Sequence, residues 1–230
     1  MKLNLWKRGG EAVPDIGRKA SATGGLMARS AGGAGRAVWS ARDTGSLIRA
    51  GFTSNPVGFR SVKLIAEAGA AVPLMLQDKT VRYAEHGVLS LLARPNPHEG
   101  RAELLEALLG QLLLTGDAYV EAVVGDEGLP LELYVLRSER MAVVPGADGW
   151  PAAYDYAVGA QKHRFAAGPG LSPICHIKAF HPQDDHYGLS PMQAAAQALD
   201  VHNAAARWSK ALLDNAARPS GAIVYKGDGG

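Results

Sequence analysis

Gly188–Gly221 reads GLSPMQAAAQALDVHNAAARWSKALLDNAARPSG. It opens and closes like a helix. Ser190 suits an N-cap, Pro191 fits the first helical position, and Gln193 stands where a capping box needs it. Pro219 and Gly221 end the run, with no Gly or Pro between Pro191 and Pro219. This predicts a helix of about 26 residues, roughly 39 Å long at 1.5 Å per residue and more than twice the usual globular length. Its alanines go round every face. Only Met192, Leu199, Val201, Trp208, Leu212 and Leu213 are large and apolar, so no single wide stripe points at one core. On periodicity alone the segment reads as an alanine-rich core helix, and small residues on several sides suit close neighbours.

Around that stretch the chain supplies 230 residues, 47% of them hydrophobic, enough for one large domain or two small ones. The net charge of +2 does not by itself call for nucleic acid or membrane. A lone cysteine, Cys175, excludes an internal disulfide and a cysteine-pair zinc site. It lies in an apolar segment and reads as a buried, inert thiol. No apolar run approaches the length needed to span a bilayer.

Charge is uneven along the chain. Residues 1–50 carry nine basic against three acidic residues, which leaves fifteen basic against nineteen acidic in 51–230. Gly, Ala and Ser dominate 21–35, so 1–51 reads as a basic, largely disordered arm. Order is expected from Ser54: Asn55 caps and Pro56 opens a helix that Pro73 stops. A short strand at Leu74–Leu76 and a short helix over 86–93 follow, the latter closed by Arg94-Pro95-Asn96-Pro97. Over 102–115, Leu104, Leu105, Leu108, Leu109, Leu112 and Leu113 share one helical face, and Gly116-Asp117 ends that helix. Strands are expected at 118–124, 131–136, 141–144, 153–158, 162–165, 174–180 and, after the long helix, 222–225. Helices and antiparallel hairpins segregate, which makes the class α+β.

Candidate chemistry is sparse. His176, His181, Asp184, Asp185 and His186 are ligand types for a divalent metal, but they match no defined spacing. A polar loop capping the long helix accounts for them equally well, with the carboxylates at the helix's positive end. Ser190 lacks the second glycine of a nucleophile elbow, so capping is its reading. No phosphate-loop pattern occurs. Arg207 and Lys210 share one side of the long helix and could touch phosphates weakly, without reading bases.

Five segments together resemble the bacteriophage portal protein family in its HK97-like branch. They are Asn55-Pro56-Val57 through Val72-Pro73-Leu74; 86–92 into Arg94-Pro95-Asn96-Pro97; Leu112–Thr115 into Gly116-Asp117-Ala118-Tyr119; Tyr187-Gly188-Leu189-Ser190-Pro191; and Asn215–Arg218 into Pro219-Ser220-Gly221. The family usually has Asn where Asp117 stands, and a capping Thr is common near Gly100 and Arg101. The resemblance implies a wing over 52–189, a first stem helix over 190–218 and the start of a clip over 219–230, an amino-terminal part of a longer protein.

It further implies a ring, usually a dodecamer, at one vertex of a capsid, through which a terminase motor packages double-stranded DNA. Implied partners are other copies of the chain, the capsid protein, a head–tail adaptor, the large terminase subunit and non-specific DNA. No catalytic residue and no cofactor is implied. The particle is a virus or a phage-derived gene transfer agent, assembled in the bacterial cytoplasm. Two other classes compete: a metal-dependent enzyme using His181, Asp184 and His186, and an α+β interaction domain with a basic arm.

Overall fold

A computed structural model of the chain describes residues 43–168 and 172–214. The remainder of the expected arm, Pro219, Gly221 and the expected strand over 222–225 lie outside the described residues. Helices and antiparallel strands build the chain, as the α+β reading expects.

The first helix overturns part of the arm. α1 (Thr44–Ile48) runs straight into a π-helical turn, Arg49–Thr53, inside the segment expected to be disordered. Asp43 caps α1, its carboxylate accepting the Ser46 N–H at 3.0 Å. Hydrogen bonding from Ser46, its side chain first and its N–H second, holds the Asp43 carboxyl below its usual range. Leu47 and Gly51 are buried, and a Cβ on Gly51 would press on Met192 and Leu199. A basic, glycine-rich composition concealed a short helix anchored by a cap and two contacts.

α2 (Pro56–Ala71) begins at its Asn55 cap and buries Gly58, Val62, Ala66 and Ala70 at four-residue spacing. This face lies on α4 (Arg101–Thr115), where Gly69 admits Leu109 and Lys63 bonds Glu106. α4 lacks a capping hydroxyl, yet Glu103 reaches back to the Gly100 N–H at 2.6 Å. Of its leucines, Leu104 is fully buried and the rest are half-buried. Between the two helices lie a hairpin, β1 (Leu76–Asp78) with β2 (Val81–Tyr83), and α3 (Gly87–Ala93). The hairpin replaces the single strand expected at 74–76: polar Lys79-Thr80 make the turn between paired Asp78 and Val81, with Lys79 at φ +47.

Two three-stranded antiparallel sheets follow. In the first, β3 (Asp117–Val124) sits between β4 (Pro130–Leu136) and β8 (Ile174–Lys178); in the second, β6 (Pro151–Val158) sits between β5 (Met141–Pro145) and β7 (Gln161–Ala166). Tyr119 and Ile174 from the first meet Met141, Tyr154 and Phe165 from the second in one buried cluster. The start of β3, Asp117–Val120, is buried on both faces, so it is the central strand of the body. Cys175 is exposed, contrary to the buried reading. On edge strand β8 the alternation turns Ile174 inward and Cys175 outward.

The expected long helix is two pieces, α5 (Pro191–Ala194) and α6 (Ala196–Asp214), with Ala195 between them at φ −86, ψ 0. Hydrogen bonds from Ala195 N–H to Pro191 O and from Leu199 N–H to Ala195 O carry the chain through. α5 seats on α4, whereas α6 seats on the π-helical turn. Two separate seats fix the two pieces, and the junction absorbs the mismatch. Nor is α6 a core helix: Ala196 is its one buried residue, and most others are exposed. Without a wide apolar stripe, it has no face to sink into the body.

Candidate functional site

The residues singled out by the five segments come together mainly at the base of α5 and α6. Gly116 ends α4 in the left-handed conformation, φ +83, which glycine adopts without strain. Its backbone lies directly against Gly188. A Cβ on Gly188 would fall 1.9 Å from Gly116 O, and one on Gly116 would fall 2.4 Å from Gly188 O. Neither position tolerates a side chain.

Ser190 joins two helix ends. Its hydroxyl accepts the Met192 N–H at 3.0 Å and points its proton at Leu113 O and Leu114 O, at 3.0 and 2.8 Å. One buried side chain thereby satisfies free amides of α5 and free carbonyls of α4. Pro191 takes the first helical position.

Asp117 ties the same joint to the sheet. One carboxylate oxygen accepts the Gly188 N–H at 2.9 Å and lies 2.8 Å from His176 Nε2, which donates to it. Both side chains are almost fully buried. The His176 ring stacks on Tyr119, centroids 4.2 Å apart. The Asp117 carbonyl accepts from Thr115 at 2.7 Å and from Ser138 at 2.6 Å. Ala118 is fully buried beside them. Burial pushes the Tyr119 and Tyr187 phenols up. The Tyr187 hydroxyl accepts the Val143 N–H at 2.9 Å, fastening the 181–187 loop to β5.

Asn55 makes a second anchor, higher on α6. It caps α2 through Gly58 N–H at 2.9 Å and donates to Asn203 Oδ1 at 2.9 Å, with His202 Nδ1 at 3.1 Å. Asn203 in turn donates to Ala50 O at 2.8 Å. Pro56 opens α2. The Pro95-Asn96-Pro97 turn is a separate latch onto β4. Pro95 O accepts the Leu133 N–H at 2.7 Å, and buried Asn96 donates to Leu133 O at 3.0 Å. Pro97 O accepts from Arg94.

The histidine–aspartate loop is bonded to itself. Asp184 accepts the N–H groups of His186 and Tyr187 at 2.8 and 3.0 Å. His181 Nδ1 accepts from Gln183, and Lys178 bonds Asp185 O. His176, grouped with them by residue type, faces Asp117 instead. Among the described residues, no three of His, Cys, Asp and Glu are placed to share a metal ion. Arg207 and Lys210 lie on α6 beside a cleft that Arg49 also lines; the sequence reading missed Arg49. It also missed the His176–Asp117 pair, Asn203 and Ser138. Contacts across 59 or 148 residues leave no local pattern.

The phage portal protein family model matches residues 56–230. The chain belongs to the phage portal protein family. An uncharacterized protein of Rickettsia bellii (strain RML369-C) is 33% identical over 182 residues, covering 78% of this portal-family chain and 47% of the relative. One from Rickettsia felis (strain ATCC VR-1525 / URRWXCal2) is 32% identical over 182 residues, with the same coverage. The chain thus spans about half the length of the curated relatives it matches.

Among solved structures, a chain of "Neck of empty GTA particle computed with C6 symmetry" is 71% identical with TM-score 0.74, matching 86% of this chain and 54% of its own. A chain of "Neck of native GTA particle computed with C12 symmetry" is 68% identical with TM-score 0.70, over 86% and 52%. A chain of "Virion of native gene transfer agent (GTA) particle" is 68% identical with TM-score 0.70, over 85% and 52%. Among the described residues, no helix is long and apolar enough to cross a membrane.

Proposed function

We propose that this chain is the amino-terminal part of a portal subunit of a gene transfer agent, one copy in a ring at the capsid vertex. DNA enters and leaves through the ring, which joins head to tail. The observation that carries this reading is the 68–71% identity to chains of neck and virion particles, one solved with C12 symmetry. In this reading 52–189 form the wing, 190–218 belong to the stem and 219–230 begin the clip. Partners are further copies of the chain, the capsid protein, a head–tail adaptor, the large terminase subunit and DNA held without base recognition.

The architecture supports it. A conduit needs a rigid subunit more than an active centre, and the motif residues here are spent on fastening α5 and α6 to the body. α6 then presents Val201, Ala205, Trp208 and Leu212 at spacings of four, three and four. Trp208 is 69% exposed and Val201 56%. That spacing is the seam of helix-to-helix packing, which suits a helix awaiting a neighbour. Among the described residues, the metal-enzyme alternative has no converging ligand set behind it.

The test is particle mass by mass photometry, with class averages from electron microscopy, on this chain and on a longer form of the size of its relatives. A ring of about a dozen subunits with a central hole from either form supports the reading. Monomers from both contradict it.

A further inference from the structure

A cleft of about 290 Å³ opens between the start of α1, the turn that leads into β5 and the 181–187 loop, with Gly188 in its wall. Three carboxylates line it, those of Asp117, Glu139 and Asp184, and no lysine or arginine does. Like charges gathered in a concavity focus a potential, here a negative one.

The carboxylates keep acceptor capacity. Both bonds to the Asp117 side chain, from the Gly188 N–H and from His176, fall on one oxygen. Both bonds to Asp184, from the N–H groups of His186 and Tyr187, also fall on one oxygen. Glu139 faces Arg137 at 3.8 Å, a loose pair whose arginine is largely exposed. An ionised carboxylate offers about four acceptor positions, so these bonds leave most of them open.

A second observation is independent of that charge. Tyr119 also lines the cleft, is 1% exposed, and its hydroxyl has no hydrogen-bond partner among the described residues. The Asp117 and Asp184 carboxylates of the cleft wall act on that hydroxyl electrostatically. A buried hydroxyl without a partner is an exception that asks for an explanation. A donor entering the cleft supplies one.

Charge and connectivity name the occupant. Residues 1–42 lie outside the described residues and carry eight basic against two acidic side chains. Thr44 lines the cleft. Arg42 stands two positions before it, and two residues of chain span at most about 7 Å. Asp43, between them, is no rival partner, because its carboxylate is engaged by Ser46 and Arg49. A guanidinium has five donors in a planar fork, which suits it to bridge two carboxylates. Among the described residues no three ligand side chains converge as a metal ion needs.

We infer that the amino-terminal arm docks in this cleft, with the Arg42 guanidinium between the Glu139 and Asp184 carboxylates. The contact lies within one chain and does not depend on the portal reading. It ties the arm to the joint that fastens α5 and α6.

The experiment uses the full chain under limited trypsin digestion, with cleavage after each basic residue followed by mass spectrometry. Wild type is compared with Glu139→Gln/Asp184→Asn, which keeps an oxygen for the His186 and Tyr187 N–H groups. The control is Asp126→Asn/Glu127→Gln on the exposed β3–β4 turn. A protease reaches a docked residue only through its open fraction. Cleavage after Arg42 is therefore expected to rise at least about tenfold in the cleft variant, with cleavage after Arg18 and Arg29 unchanged; the control keeps the wild-type rates. The Arg42→Lys variant retains both carboxylates. It is expected to give a zero-length carbodiimide cross-link from position 42 to 139 or 184, within one chain when light and isotope-labelled chains are mixed.

The same rate after Arg42 in wild type and cleft variant would overturn the inference, as would an equal rise in the control. A rise that extends to Arg49 and beyond marks a loosened fold, and the cross-link then decides alone; its absence overturns the inference. A cross-link found only between light and labelled chains gives the cleft to a neighbouring copy's arm and overturns it too. Each of these failures leaves the portal reading standing, since that reading is tested by the ring.

Discussion

The base of the α5–α6 segment and the body of α6 are built to opposite rules. At the base, backbones touch at Gly116 and Gly188, and Ser190, Asp117 and His176 find buried partners, with Asn55 adding a second anchor higher on α6. Beyond Asn203 the helix leaves the body, and Trp208 and Leu213 stand in solvent. The base fixes direction; the body offers surface. A buried hydrogen-bonded joint is costly to break because each lost partner strands another. An exposed stripe is cheap to alter until something covers it.

That contrast orders the expected effects of substitution, each readable from urea denaturation of the purified chain. Gly188→Ala should do most damage, about 3 kcal/mol or more, because its Cβ would collide with the backbone of Gly116 rather than with a yielding side chain. Asp117→Ala should cost about 2–3 kcal/mol, since it strands the Gly188 N–H and the His176 ring. Asp117→Asn, which keeps an acceptor oxygen, should recover most of that. Asn55→Ala should cost about 1–2 kcal/mol, the α2 cap plus the Asn203 tie. Trp208→Ala should leave the single chain within about 0.5 kcal/mol. A large loss from Trp208→Ala, or a negligible one from Gly188→Ala, would erase the contrast.

The second sheet adds a pH dependence that belongs to neither region. Asp155 is buried, and Arg164, then Lys162, hold its carboxyl well below the ordinary 3.8. Its native value is depressed, so its contribution is present above the unfolded-state value and disappears as pH falls through the native one. The urea midpoint of wild type should therefore drop as pH falls below about 4, and Asp155→Asn should show a shallower acid limb.

Much of the helical framework was legible because the signals are local. The leucine face of α4, the Asn55-Pro56 opening of α2 and the glycine that stops α4 each sit within one or two turns of what they control. Some local signals were masked by composition. Asp43 with Ser46 and Leu47 spells a capped helix start, but the basic, glycine-rich surroundings outweighed it. The joint was legible only as a set of residues, not as a contact. Gly188 and Gly116 are 72 positions apart, and nothing near either announces the other. His176 shows the same limit from the other side: residue type grouped it with His181 and His186, while strand pairing of β3 with β8 set it opposite Tyr119 and against Asp117.

The most direct test of the joint is hydrogen exchange, resolved to short peptides, on wild type and Asp117→Ala. The expected result is faster exchange across Gly188–Asn203 with protection retained in β5, β6 and β7, because the lost bonds run from Asp117 to Gly188 and to His176 of β8, and none is made to the second sheet. Unchanged exchange at 188–203, or equal loss throughout the body, would contradict the claim that Asp117 and its neighbours fasten this helix to the sheet.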